Sequence, residues 1–129
     1  MAGAKSNRLG ELQLEILKVL WRLGPASVAE VHAELAAQRL AYTTVATMLR
    51  KMEDRGLVRH RNDGRRFIYE AALAADDVKS NMAADFVHRL CDGRLAEAMC
   101  HLLDVRSVSR QELLELERMI QERKAARRS

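Results

Sequence analysis

Apolar residues recur at helical spacing through the first fifty-odd positions of this chain. Leu9, Leu12, Ile16, Val19, Leu20 and Leu23 lie three or four apart and predict a first helix, with Trp21 at the edge of its stripe. Gly24-Pro25 ends that helix, because glycine adopts the terminating conformation and proline cannot continue the ladder. Ser27-x-x-Glu30 predicts a capping box opening a second helix, whose Val28, Val31 and Leu35 face the core. A third helix is predicted from Tyr42 to Arg55, because Val45, Met48, Leu49 and Met52 fall at i, i+3, i+4 and i+7. At about 100° per residue, its opposite face holds Thr43, Thr47, Arg50, Lys51 and Asp54, with Thr44 on the flank. Gly56 closes it.

The pattern then changes. Leu57 to Asn62 and Arg65 to Glu70 carry strand-forming Val58, Phe67, Ile68 and Tyr69, and Asp63-Gly64 joins them. That dipeptide predicts a two-residue type I′ hairpin turn, which needs positive φ at both positions. After Ala71 to Ala75 the pattern is helical again. Asp76 or Asp77 is expected to cap a helix carrying Val78, Met82, Phe86, Val87 and Leu90, which Asp92-Gly93 breaks. Leu95, Ala98, Met99, Leu102 and Leu103 form a short second stripe. Ser109-x-x-Glu112 predicts another capping box, with Val108 stapled onto Leu113, and Leu113, Leu116 and Ile120 continue at helical spacing. The basic tail from Arg123 to Ser129 is expected to fray.

These elements predict a mainly α fold with a small β-hairpin wing. Residues 1–72 read as a winged helix-turn-helix, and residues 73–129 as a three-helix dimerisation region. Charge sharpens the picture. The chain carries a formal charge of +4, and residues 39–66 alone hold eight basic against three acidic side chains. Residues 71–129 hold ten of each. Positive charge focused on the third helix and hairpin fits a polyanionic partner, namely double-stranded DNA.

Candidate chemistry follows the same stretch. Threonine is a poor helix former, yet Thr43, Thr44 and Thr47 crowd the start of the third helix. Their hydroxyls and methyls suit phosphates, base edges and thymine methyl groups. Arg50 and Lys51 are expected to reach phosphate, and Arg65 and Arg66 at the hairpin tip to reach the backbone or a minor groove. A phosphate-binding glycine loop, an HExxH helix motif and a nucleophile elbow are all absent, so no enzyme is expected. Residues Met1 to Asn7 are polar and no run of 18 apolar residues occurs, so a secretory signal and a membrane span are not expected. With two cysteines and no disulfide framework, a reducing cytoplasm is the expected compartment.

Leu40-Ala41-Tyr42-Thr43-Thr44-Val45, followed by Gly56-Leu57-Val58 and Asp63-Gly64-Arg65, resembles the penicillinase-repressor (BlaI/MecI) family. Leu9-Gly10-x-Leu12-Gln13-x-x-Ile16, Leu20-Trp21 and Val108-Ser109-Arg110-Gln111-Glu112-Leu113 extend the resemblance over nearly the whole chain. The resemblance implies a winged helix that binds a pseudo-palindromic operator, and a C-terminal region that makes a homodimer. It implies recognition residues Thr43, Thr44 and Thr47, with Tyr42 near the DNA backbone and Arg65 in the wing. The dimer contacts expected in the tail are Val78, Met82, Phe86, Leu90, Leu113, Leu116 and Ile120. Some family members are inactivated when a membrane-bound penicillin-sensing metalloprotease leads to cleavage in the C-terminal region. Here that region aligns near His101-Leu102, where penicillinase repressors carry Asn-Phe.

A metal-responsive or small-molecule-responsive winged-helix repressor is the alternative. His88-x-x-Cys91 falls on one helix face with Cys100-His101 following, and imidazole and thiolate suit Zn²⁺ or Cu(I). Copper-responsive relatives share a clustered cysteine motif that this chain lacks, and cysteines of this kind are more often buried hydrophobes. No metal or cofactor is therefore expected.

Overall fold

The computed structural model describes residues 9–128, and its chain divides into two compact units between Asp85 and Phe86. In the first unit, α1 (Glu11–Leu23) leads to β1 (Ala26–Ser27), α2 (Val28–Glu34), a 3₁₀ turn (Ala36–Gln38), α3 (Tyr42–Asp54), β2 (Val58–Asn62) and β3 (Phe67–Ala71). Helix α4 (Ala75–Cys91) runs through the division. The second unit continues with α5 (Leu95–Leu103) and α6 (Arg110–Arg127). Among the described residues, no helix is long and apolar enough to cross a membrane.

The first unit has one core. Ile16, Leu17, Val31, Val45, Leu49 and Met52 are fully buried in it, and Leu57, Val58 and Tyr69 close it from the hairpin side. The predicted stripes of α1, α2 and α3 supply most of it. Leu17, absent from the predicted α1 stripe, is fully buried, while Leu23 at the helix end is exposed. Gly24 has φ of 81° and its N–H donates to the Leu20 carbonyl at 2.8 Å, so the helix stops where the glycine predicted. Trp21 donates its indole N–H to the Leu73 carbonyl at 2.9 Å, which ties the end of the hairpin back to α1.

The Ser27 capping box forms in full. Ser27 Oγ accepts from the Glu30 N–H at 3.2 Å, and Glu30 Oε1 accepts from the Ser27 N–H at 2.8 Å. These bonds hold the Glu30 carboxyl below its ordinary range, because the Ser27 amide and hydroxyl both favour the ionised form. Ser27→Ala removes one half of the box at a buried position, and a loss of about 1 kcal/mol in urea unfolding is expected.

Ala26 and Ser27 also form a strand, which the sequence did not foretell. The sheet order is β1-β3-β2, all antiparallel, with Ala26 opposite Tyr69 and Ser27 opposite Ile68. Two residues are too short to show a period, and only the arriving hairpin makes them a strand.

The hairpin itself departs from the two-residue turn. Asn62 pairs with Phe67, so Asp63, Gly64, Arg65 and Arg66 form a four-residue loop. Gly64 has φ of 103°, but Asp63 does not have positive φ, so the type I′ turn is absent. Side-chain bonds replace it: Asn62 Oδ1 accepts from the Gly64 N–H at 2.9 Å, and Asp63 Oδ1 accepts from the N–H groups of Arg65 at 3.2 Å and Arg66 at 3.1 Å. An aspartate that caps the following amides in this way needs no positive φ. The two backbone bonds, more than the arginine charges, hold the Asp63 carboxyl below its usual range.

Three expectations about the helical tail also change. Helix α4 starts at Ala75, with the Val78 N–H bonded to the Ala74 carbonyl, so Asp76 and Asp77 sit in its first turn beside the positive end of the dipole instead of capping it. At the start of α6, Ser109 Oγ accepts from the Glu112 N–H at 3.1 Å, but the Glu112 carboxylate turns to Arg106, which grips it through Nη1 at 2.9 Å and Nη2 at 2.7 Å. Only half of the second capping box therefore forms. Helix α6 runs to Arg127, so the tail through Arg127 is helical. Asp92 and Gly93, with φ of 50° and 84°, break the chain after α4 as their dipeptide predicted.

Candidate nucleic-acid interface

Helix α3 has two unlike sides. Val45, Leu49 and Met52 are buried, and Met48 packs against the same core. Thr43, Thr44, Thr47, Arg50, Lys51 and Asp54 are exposed, as the helical phase predicted. Thr43, Thr44, Thr47, Met48 and Lys51 line one shallow depression of about 280 Å³, so the three threonines act as one surface. No side chain caps the start of α3 at Ala41. The first amides of a helix point outward along a favourable dipole, ready donors to a phosphate oxygen.

Tyr42, at the first position of α3, is 50% exposed. Its ring stands edge-on to His32 with centroids 5.8 Å apart. His32 Nε2 is 2.7 Å from the Leu40 carbonyl, which anchors the turn leading into α3. At the other end Gln13 reaches across from α1: its Oε1 accepts from Arg55 Nη1 at 2.9 Å, and its Nε2 donates to Met48 Sδ at 3.7 Å. The helix is held at both ends while its threonine side remains open.

The wing brings some of the predicted residues to this side and turns one away. Arg65 is exposed, and its side chain has no partner among the described residues. Arg66 is also exposed but folds back: Nη1 donates to Ser27 Oγ at 3.4 Å, and Nε lies 3.8 Å from Asp63 Oδ2. It braces the wing loop against the start of α2. Between α3 and the wing lies a cleft of about 400 Å³, bounded by Thr47, Arg50, Lys51, Glu53, Asp54, His60, Phe67 and Tyr69. Phe67, read from the sequence only as a strand former, is 45% exposed at its mouth. Glu53 and His60 were not singled out either, because no spacing rule links a helix end to the next strand.

In the tail, Val78 is 1% exposed within a single chain, so it has no apolar surface to offer a partner. Met82, Phe86 and Leu116 are half-buried, and Leu90, Leu113 and Ile120 are exposed. His101 and Leu102 are both exposed, in the last turn of α5. Cys91 is buried and Cys100 exposed, and burial pushes the Cys91 thiol up. Among the described residues, no three His, Cys, Asp or Glu side chains converge as a metal site.

The chain matches the penicillinase repressor family over residues 9–122. It belongs to that family. The penicillinase repressor of Bacillus licheniformis is 26% identical over 121 residues, spanning 93% of this chain and 94% of that protein. The transcriptional regulator BlaI of Mycobacterium tuberculosis is 34% identical over 104 residues, spanning 78% of this chain and 75% of that protein. The multiple antibiotic-resistance repressor MarR of Listeria monocytogenes is 16% identical, with a TM-score of 0.51 over 98% of this chain and 80% of its own, a likeness of fold alone. As a member of the penicillinase repressor family, this protein is a DNA-binding transcriptional repressor with a winged helix.

Proposed function

We propose that this penicillinase-repressor family member is a homodimer that silences genes by binding a pseudo-palindromic operator. Residues 1–72 read the DNA, and residues 73–129 join the two copies. Helix α3 enters the major groove with Thr43, Thr44 and Thr47 toward base edges. Tyr42, Arg50 and Lys51 meet phosphate, and Arg65 reaches the backbone from the wing. The observation that carries this reading is the threonine surface itself: three exposed threonines and Lys51 share one depression on a helix whose other side is locked in the core. Arg66 acts by bracing the wing loop through Ser27 and Asp63.

Thr47→Ala is expected to weaken binding to a duplex selected from a random-sequence pool by about 1–3 kcal/mol and to relax the preference at one or two base positions. Arg65→Ala is expected to weaken binding evenly across sequences and to flatten its salt dependence by about one charge. Quantitative selection with each variant distinguishes the two. An unchanged sequence preference in Thr47→Ala would remove α3 as the reading element.

The dimer assignment draws on the second unit. Leu95, Met99, Leu103, Leu116, Met119 and Ile120 line an open, largely apolar groove of about 910 Å³ between α5 and α6. Apolar surface of that kind on a soluble chain marks an association site. Two copies joined there present two α3 helices to half-sites about one helical turn, ~34 Å, apart. Release by a membrane-bound sensor metalloprotease system is assigned to His101-Leu102, in the exposed last turn of α5. A protease needs that turn unwound, and the non-helical segment 104–109 follows it directly.

A further inference from the structure

We propose that Glu53 and His60 form the joint that sets the wing against helix α3, and that DNA binding takes up a proton at this joint. The proposal rests on the reading that α3 and the wing face DNA.

Glu53 lies in the last turn of α3, and His60 in the middle of β2. His60 Nδ1 is 2.7 Å from both carboxylate oxygens of Glu53, and the His60 backbone N–H donates to Glu53 Oε2 at 3.1 Å. One carboxylate thus holds both the ring and the backbone of the strand. The ring is held on its other side by Phe67, with centroids 4.3 Å apart, and by Tyr69 at 5.5 Å. His60 pairs with Tyr69 across the hairpin, so fixing His60 fixes both wing strands.

The groups around the joint set its charge. From α3, Arg50, Lys51, Glu53 and Asp54 border the cleft; from β3 come Phe67 and the phenol of Tyr69. Along β2, Arg59 is paired with Glu70 at 3.0 Å, and Arg61 is exposed. The Nδ1–H of the imidazole can donate to Glu53 whether or not Nε2 carries a proton, so the contact survives deprotonation. The charge does not survive. With the ring protonated the pair is neutral; with the ring neutral, Glu53 leaves a full negative charge beside Arg50 and Lys51, where the phosphates would lie. A polyanion therefore favours the protonated joint. By linkage, affinity is greatest below the imidazole's titration range and falls as pH rises through it, by up to about tenfold for each unit by which DNA shifts the titration.

The test uses the full chain and the tightest duplex recovered from a random-sequence pool. Affinity is expected to fall about three- to tenfold between about pH 5.5 and about pH 8, with net proton uptake seen by calorimetry in buffers of different ionisation enthalpy. His60→Gln should bind DNA with this pH dependence removed, while His88→Gln keeps it. Glu53→Gln should bind more tightly than the parent at about pH 8, a gain that loss of a purely structural contact would not produce. The His60 ring signal in NMR should titrate at higher pH with DNA than without, which tests the idea in the unaltered protein. A His60 titration unmoved by DNA, or a parental pH slope in His60→Gln, overturns the proposal. Failure of the parent to bind any duplex at any pH would instead overturn the interface on which it rests.

Discussion

Replacing Leu90 and Ile120 together with glutamate is expected to leave the protein monomeric and to lower its operator affinity by about 100-fold or more. Both side chains belong to the second unit and are 69% and 57% exposed in a single chain. Neither contributes to a core, so their replacement should cost the fold little, within about 0.5 kcal/mol each. In a dimer they would become buried, and a carboxylate without a partner there is strongly unfavourable. The loss of affinity arises because each half-site is then bound separately, without the high effective concentration that a tethered second copy provides. Light scattering gives the mass, and titration of a two-half-site duplex gives the affinity. A variant that remains dimeric would place the interface elsewhere on the chain.

Leu49→Ala is expected to cost about 2–5 kcal/mol of stability. Against a typical total of about 5–15 kcal/mol, that is a large part of the folding free energy. Leu49 is fully buried on the inner side of α3, in one cluster with Ile16, Val31, Met52 and Leu57. The same helix carries the threonine surface, so loosening its inner side blurs the orientation of its outer side. DNA affinity should therefore fall even for the fraction that stays folded. Urea unfolding followed by circular dichroism measures the first effect, and titration well below the unfolding midpoint measures the second. A cost below about 1 kcal/mol would mean that Leu49 is not packed as described.

Leu49 and the Leu90–Ile120 pair lie at opposite ends of what the sequence makes legible. Leu49 sits in a strong 3.6-residue stripe, and the structure buries it together with Val45 and Met52. The period also placed Thr43, Thr47, Arg50 and Lys51 on the open side. The tail was harder to read. Its stripes are real, but in a single chain they cover few neighbours, and the pattern does not say whether an apolar face meets its own chain or another. Val78 shows the ambiguity: it continues the α4 stripe with Met82, Phe86 and Leu90, yet it alone of the four is fully covered within one chain.

By itself the sequence determined what depends on residues within about one turn of each other: the phase of α3, the Ser27 capping box, the stops at Gly24 and Asp92-Gly93, and the basic stretch from Arg39 to Arg66. Local hydrogen bonds and helical periodicity act at that range, so the residues alone carry the information. Tertiary structure alone decided the pairing of Ala26-Ser27 with β3, the bracing of Arg66 on Ser27, the covering of Val78, and the grip of Glu53 on His60. The wing loop belongs to this second group, since the Asn62–Phe67 register is set by the packing of whole strands and overrides the preference of Asp63-Gly64 for a tighter turn. Each of these features joins residues from different elements, and their free energy arises only after the elements have met.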